Sequence, residues 1–190
     1  PLNIYIDGTR VTIPANVGVN ADDSHAPVFT TANNGKVFFD ADSTVTLGDF
    51  FTTWRTNAGL AGNNVSAKLS ATQLMASITD RDSTLQVFVN GQQSTLFAGE
   101  QIENGDNIVL VYSSNTVLSL NTNFGSIVVE LYDSQKANTV ANFLNYVNDG
   151  DYINSIFHRT TTLSTAGVAV IQGGGFKTNS TTFTSTSQFT

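Results

Sequence analysis

Phe157-His158-Arg159, followed after twelve residues by Gln172-Gly173-Gly174-Gly175-Phe176, is the stretch on which the reading of the fold turns. An arginine beside an aromatic, then a glutamine running straight into three glycines, is an odd grouping for a plain core strand. Outward from it, Tyr152 to His158 reads as a strand approach and Val168 to Ile171 as a second, β-branched strand. Upstream, Thr139 precedes Val140, Phe143, Leu144 and Val147, which predicts an amphipathic helix starting at Thr139. That helix ends near Asp149-Gly150, where glycine suits the position just past a helix end. Further back, Val117–Leu120 and Ile127–Tyr132 alternate around Asn123-Phe124-Gly125 and predict a hairpin. Ser113-Ser114-Asn115-Thr116 is a short polar linker, and the domain boundary is expected there. After Lys177 the sequence is Ser/Thr-rich and of low complexity. It reads as a flexible tail or as an extended strand waiting for a partner, with Phe183 and Phe189 as anchors.

The first half has its own signals. Leu2–Ile13 alternates across Asp7-Gly8, a strong hairpin signal because Asp-Gly tolerates the positive φ angles of a tight primed turn. Pro14–Asn20 reads as loop. Asp22, Asp23 and His25 place three potential ligands within four residues. The reading favoured over a metal site is an exposed acidic turn, and no metal or other cofactor is assigned. Lys36–Phe39 is a short strand candidate. Leu47, Phe50, Phe51 and Trp54 then fall on one helical face, with Thr46 as N-cap and Asp49 in the first turn. The period of Lys68–Ile78 is undecided between strand and helix. Leu85–Val89 leads into an Asn90-Gly91 turn, and Ile108–Tyr112 is apolar enough to be a central strand. Two hairpin-like units, a packing helix and a closing strand predict a small β-grasp-like domain over residues 1–114.

Composition bounds the function. The chain has 190 residues, enough for one or two domains with a real core. Apolar residues make up 40% and charged residues 12%, the latter about half the usual share. A surface dominated by Asn, Thr, Ser and Gly is expected of a secreted or cell-surface β-protein. The net charge of −7 argues against nucleic acid as a partner. The absence of cysteine excludes disulfides, thiolate metal sites and cysteine nucleophiles. No apolar run approaches the roughly 18–20 residues of a membrane span. Pro1 stands where a start methionine would, so a processed or trimmed product is expected.

The stretch around Arg159 resembles the signature of cyclophilin-type peptidyl-prolyl isomerases: FHR, a short run containing an aromatic, then QGG and an aromatic. Asn123–Tyr132 resembles that family's opening hairpin, Thr139–Tyr146 its first helix, and Gly150–Arg159 its approach to the catalytic arginine. The resemblance covers about residues 119–177. It implies a mostly β (α+β) chain: residues 1–114, a linker at 115–118, the N-terminal part of a cyclophilin-like β-barrel at 119–177, and a tail at 178–190. It further implies prolyl isomerisation of proline-containing peptides or proteins, with Arg159 and Gln172 catalytic. Phe157, His158, Ala169 and Gly173 would line the substrate site. Two departures stand out. The run from Arg159 to Gln172 is about five residues longer than usual, with Thr160–Gly167 as the insertion, and Ala169 stands where the family has the aromatic floor of its proline pocket. The family fold also needs about another half-domain after Phe176, which makes an incomplete barrel the expectation, in a fragment of a longer protein or a diverged form. The first half additionally resembles an uncharacterised domain of bacterial exported proteins. That domain carries two histidines shortly before the equivalent of Gly35, where this chain has Phe29 and Thr31.

Rotating an X-Pro bond needs no nucleophile, metal or proton carrier. It needs a fixed donor near the prolyl nitrogen, a donor for the substrate carbonyl and an apolar grip on the ring. Arg159 suits the first role because guanidinium stays charged and presents a rigid fork of donors; Gln172 suits the second. The plain structural alternatives are that Arg159 pairs with an acidic side chain and that Gln172 satisfies backbone at a bulge made by the glycines. Beside the enzyme stands a second reading, a structural or assembly subunit that keeps an inactive half-barrel as scaffold and self-associates through exposed strand edges. A third is a carbohydrate- or metal-binding module in the first half.

Overall fold

The structure, a computed structural model, describes residues 1–178 and 183–185. Its contacts divide the chain into two units, Pro1–Leu131 and Tyr132–Thr190. The first holds β1 (Leu2–Ile6), β2 (Thr9–Val11), β3 (Val28–Phe29), β4 (Phe38–Phe39), α1 (Leu47–Thr56), β5 (Leu69–Ser70), β6 (Gln73–Leu74) and β7 (Ser77–Ile78). It continues with β8 (Thr84–Val89), β9 (Gln92–Ser94), a single 3-10 turn at Phe97–Gly99, β10 (Ile108–Ser113), β11 (Thr116–Thr122) and β12 (Gly125–Leu131). The second unit holds α2 (Asp133–Asn148), β13 (Ser155–Thr161), α3 (Leu163–Ala166), β14 (Val170–Thr178) and β15 (Phe183–Ser185). Among the described residues the chain is mostly strand with three α-helices, consistent with the mostly β (α+β) expectation, and no sheet closes into a barrel.

The main sheet has the order β2-β1-β10-β8-β9. β1 runs parallel to β10 and the other pairs are antiparallel. β10 lies in the middle and is buried along nearly its whole length, as its apolar sequence predicts. The turns follow from backbone freedom: Asp7 and Gly8 have φ of 47° and 74°, Asn90 and Gly91 of 51° and 82°, the positive pair that a two-residue primed turn requires. α1 starts with a complete capping box. Asp49 N–H donates to Thr46 Oγ1 at 3.2 Å while Thr46 N–H donates to Asp49 Oδ2 at 2.8 Å, satisfying two otherwise orphaned donors. The face carrying Leu47, Phe50, Phe51 and Trp54 is buried against Leu2, Ile4, Leu85, Val87, Ile108 and Leu110. Each such side chain contributes about 1.5–3 kcal/mol through burial.

One expectation changes, and two open readings take a definite form. The helix expected from Thr139 begins at Asp133, breaks its helical geometry at Lys136 (φ −139°, ψ 46°) and continues to Asn148. Gln135 and Lys136 both donate their N–H to the Tyr132 carbonyl, making a short turn that the apolar period does not record. Lys68–Ile78, undecided in sequence, forms three short antiparallel strands turning at Met75, which has φ 56°. The Ser/Thr-rich end finds a partner within its own chain, since β15 pairs with β14; Phe189 lies outside the described residues.

Thr30 is the fully buried polar residue of the loop region. Its hydroxyl donates to the Pro14 carbonyl at 2.8 Å and accepts from Val17 N–H at 3.0 Å. Thr30→Val keeps the shape but leaves both groups unpaired. The expected destabilisation is about 1–3 kcal/mol, read as a shift of the chemical denaturation midpoint.

Candidate functional site

β13 and β14 bring the predicted pair together. Arg159 and Gln172 are direct cross-strand partners, so their Cα atoms lie about 5 Å apart with side chains on one face. Both are exposed. Among the described residues Arg159 makes no ion pair. The register beside them is irregular. Phe157 pairs with Gly173, so His158 is an extra residue on β13, and Ser155 pairs with Lys177, so Gly174-Gly175-Phe176 bulge on β14. The glycines therefore do form a bulge, and Gln172 sits at its edge.

The three glycines are explained by three rings. A Cβ at Gly173 would stand 2.9 Å from Phe157 Cδ1, one at Gly174 2.8 Å from Tyr152 Cε1, and one at Gly175 3.0 Å from His158 Cε1. Gly174 also has φ +84°, a conformation that costs other residues about 1–2 kcal/mol. Tyr152 also packs on Phe143 of α2, with ring centroids 5.3 Å apart. Burial and then the nearby Tyr146 and Asp151 push its phenol pKa above the ordinary value. His158 meets the edge of Phe176 at 4.8 Å, and its Nδ1 is buried with no hydrogen-bond partner among the described residues. It is a packing residue of the bulge. Tyr152 was read only as the start of a strand; its spacing from the glycine run becomes informative once the bulge is known.

Of the remaining predicted residues, Phe157 and Gly173 form the neighbouring register pair of the same ladder. Phe157 is half-exposed. Ala169 is exposed and precedes β14 rather than lying within it. The insertion ahead of it is ordered into a capped turn: Thr162 and Thr165 make a reciprocal capping box, and Gly167 ends α3 at φ 69°. In the first unit, Asp22 Oδ1 accepts from Ser24 N–H at 3.1 Å and Ser24 Oγ at 2.6 Å. These bonds hold its carboxyl below the ordinary pKa. His25 stacks on Phe29 at 4.0 Å, with Asp40 3.7 Å from its Nδ1. No group of three metal-ligating side chains occurs among the described residues. A lowered folded pKa means that Asp22 supports its turn above the ordinary carboxylate range and loses this as pH falls through its lowered value. Ser24→Ala is expected to move the Asp22 titration back up, followed by NMR.

The segment that carries this hairpin is similar in sequence to prolyl isomerases. This segment, residues 117–190, matches the family model of the cyclophilin type peptidyl-prolyl cis-trans isomerases. It is 46% identical over 61 residues to the peptidyl-prolyl cis-trans isomerase cyp18 of Streptomyces antibioticus, covering 32% of this chain and 34% of that one. It is 41% identical over 61 residues to peptidyl-prolyl cis-trans isomerase B of Escherichia coli, with the same coverages of 32% and 34%. A peptidyl-prolyl cis-trans isomerase of Acinetobacter baylyi is 39% identical over 66 residues, covering 35% of this chain and 32% of that protein. The chain thus spans about a third of the length of the curated relatives it matches. No solved structure matches it.

Proposed function

We propose that the chain contributes the Arg159–Gln172 half of a cyclophilin-type prolyl isomerase site acting on proline-containing peptides or proteins. The observation that carries this reading is the direct cross-strand pairing of Arg159 with Gln172, both solvent-facing, within a segment matching that family. Arg159 directs its donors at the prolyl nitrogen and favours the pyramidal, less conjugated state. Gln172 holds the substrate carbonyl. Phe157 and Gly173 border the peptide, and the barrier to be lowered is about 18–20 kcal/mol for an ordinary amide. No cofactor takes part. The low charged share supports placing the protein outside the cell or on its surface. For the first unit we propose a β-grasp-like fold, supported by the strand order, the parallel β1–β10 pair and the single packing helix.

A second reading, a scaffold or assembly module, is favoured by one observation: β13 is an outer strand of its sheet, and Phe157, Ile171 and Phe176 are exposed. Titrating a short Xaa-Pro peptide into the labelled protein, with its solution size measured in parallel, separates the two. The isomerase reading expects shifts confined to the amides of residues 157–160 and 171–175 in a species of constant size. Peptide-independent assembly with no such shifts would support the scaffold.

A further inference from the structure

The first two strands of the cyclophilin-type segment lie on the first unit's sheet, and their chemistry shows why. One face of that sheet is covered by α1. The other carries Phe88, Val109 and Val111, which are buried, with Tyr5 beside them. An apolar face of this kind must be covered. What covers it is Val117 of β11 and Val128 of β12. The register Val117↔Glu130 and Ser119↔Val128 puts Val117, Val128, Glu130 and Ser126 on the same side of the hairpin. All four meet the sheet or its edges. Glu130 Oε1 accepts from Ser113 Oγ at 2.5 Å and from Asn115 Nδ2 at 2.9 Å, and Ser126 Oγ donates to the Asn90 carbonyl at 3.1 Å. Gly91 has no room for a side chain because Ser126 and Asn121 lie over it. The hairpin is therefore held at both ends, at its base through Glu130 and beside its turn through Ser126.

We propose that the outer face of the main sheet is a binding surface for the β11–β12 hairpin, and that the hairpin folds as part of the first unit although its sequence is cyclophilin-type. The cooperative unit then runs to Leu131, across the junction that the polar run suggests.

Native-state hydrogen exchange on the full chain under rising denaturant tests this, because residues of one cooperative unit open together. The expected result is a common opening for the amides of β11 and β12 with those of β8 and β10. Hairpin amides opening at much lower denaturant than β8 and β10 would overturn the proposal. A paired variant sharpens it. Val117→Ser with Val128→Ser is expected to speed exchange in β8 and β10 by about tenfold or more. Ile127→Ser, at a half-exposed position on the hairpin's opposite face, is expected to leave them within about twofold. Equal effects of the two variants on β8 and β10 would also overturn it.

Discussion

Phe50→Ala is expected to destabilise the first unit by about 3–5 kcal/mol. Phe50 has no exposed surface and stands 5.9 Å from the Phe51 ring and 6.0 Å from Trp54. It lies at the centre of the helix face that closes over β1, β8 and β10. Removing the ring forfeits its transfer free energy and leaves a cavity that the neighbouring rings and strands fill only in part. Against a typical total of about 5–15 kcal/mol, such a loss is a large share of the stability. The chain has a single tryptophan, and Trp54 is buried against the same ring, so its fluorescence through chemical denaturation reports the change directly. A loss under about 1 kcal/mol would mean that this face does not carry the packing assigned to it.

Arg159→Ala is the second large effect, and it falls on activity rather than stability. The side chain is exposed and makes no ion pair among the described residues, so its truncation leaves the β13–β14 hairpin intact. Removing a donor aimed at charge that develops only in the transition state costs about 10²–10³ in rate, and that is the expected drop in kcat/KM on an Xaa-Pro peptide. Arg159→Lys keeps the charge but not the rigid fork and is expected to fall between wild type and alanine. Gln172→Ala is expected to act mainly through KM, since in the proposed role the amide holds a carbonyl present in both ground and transition states. Circular dichroism of each variant checks that folding is unchanged.

Much of this was legible because the signals were local. Asp7-Gly8 and Asn90-Gly91 dictate their turns through backbone freedom, Thr46 and Asp49 start α1 through hydrogen bonds three residues apart, and Leu47, Phe50, Phe51 and Trp54 share a face at helical spacing. The motif around Arg159 and Gln172 was legible through resemblance. What escaped depends on pairings distant in sequence. The fit of Tyr152 over Gly174 rests on a bulge that no period encodes. The helix break at Lys136 rests on one carbonyl, that of Tyr132, accepting two bonds. The placement of Val117 and Val128 rests on an apolar sheet face built from β8 and β10, which no local signal around the polar run records.

The most direct test of the central claim is the cis-trans exchange rate of an Xaa-Pro peptide, measured by NMR with the natural protein and its Arg159→Ala variant. The account predicts acceleration in proportion to protein concentration, falling by about 10²–10³ in the variant. A folded wild-type protein that leaves the exchange rate unchanged, or one whose catalysis survives Arg159→Ala, would contradict it.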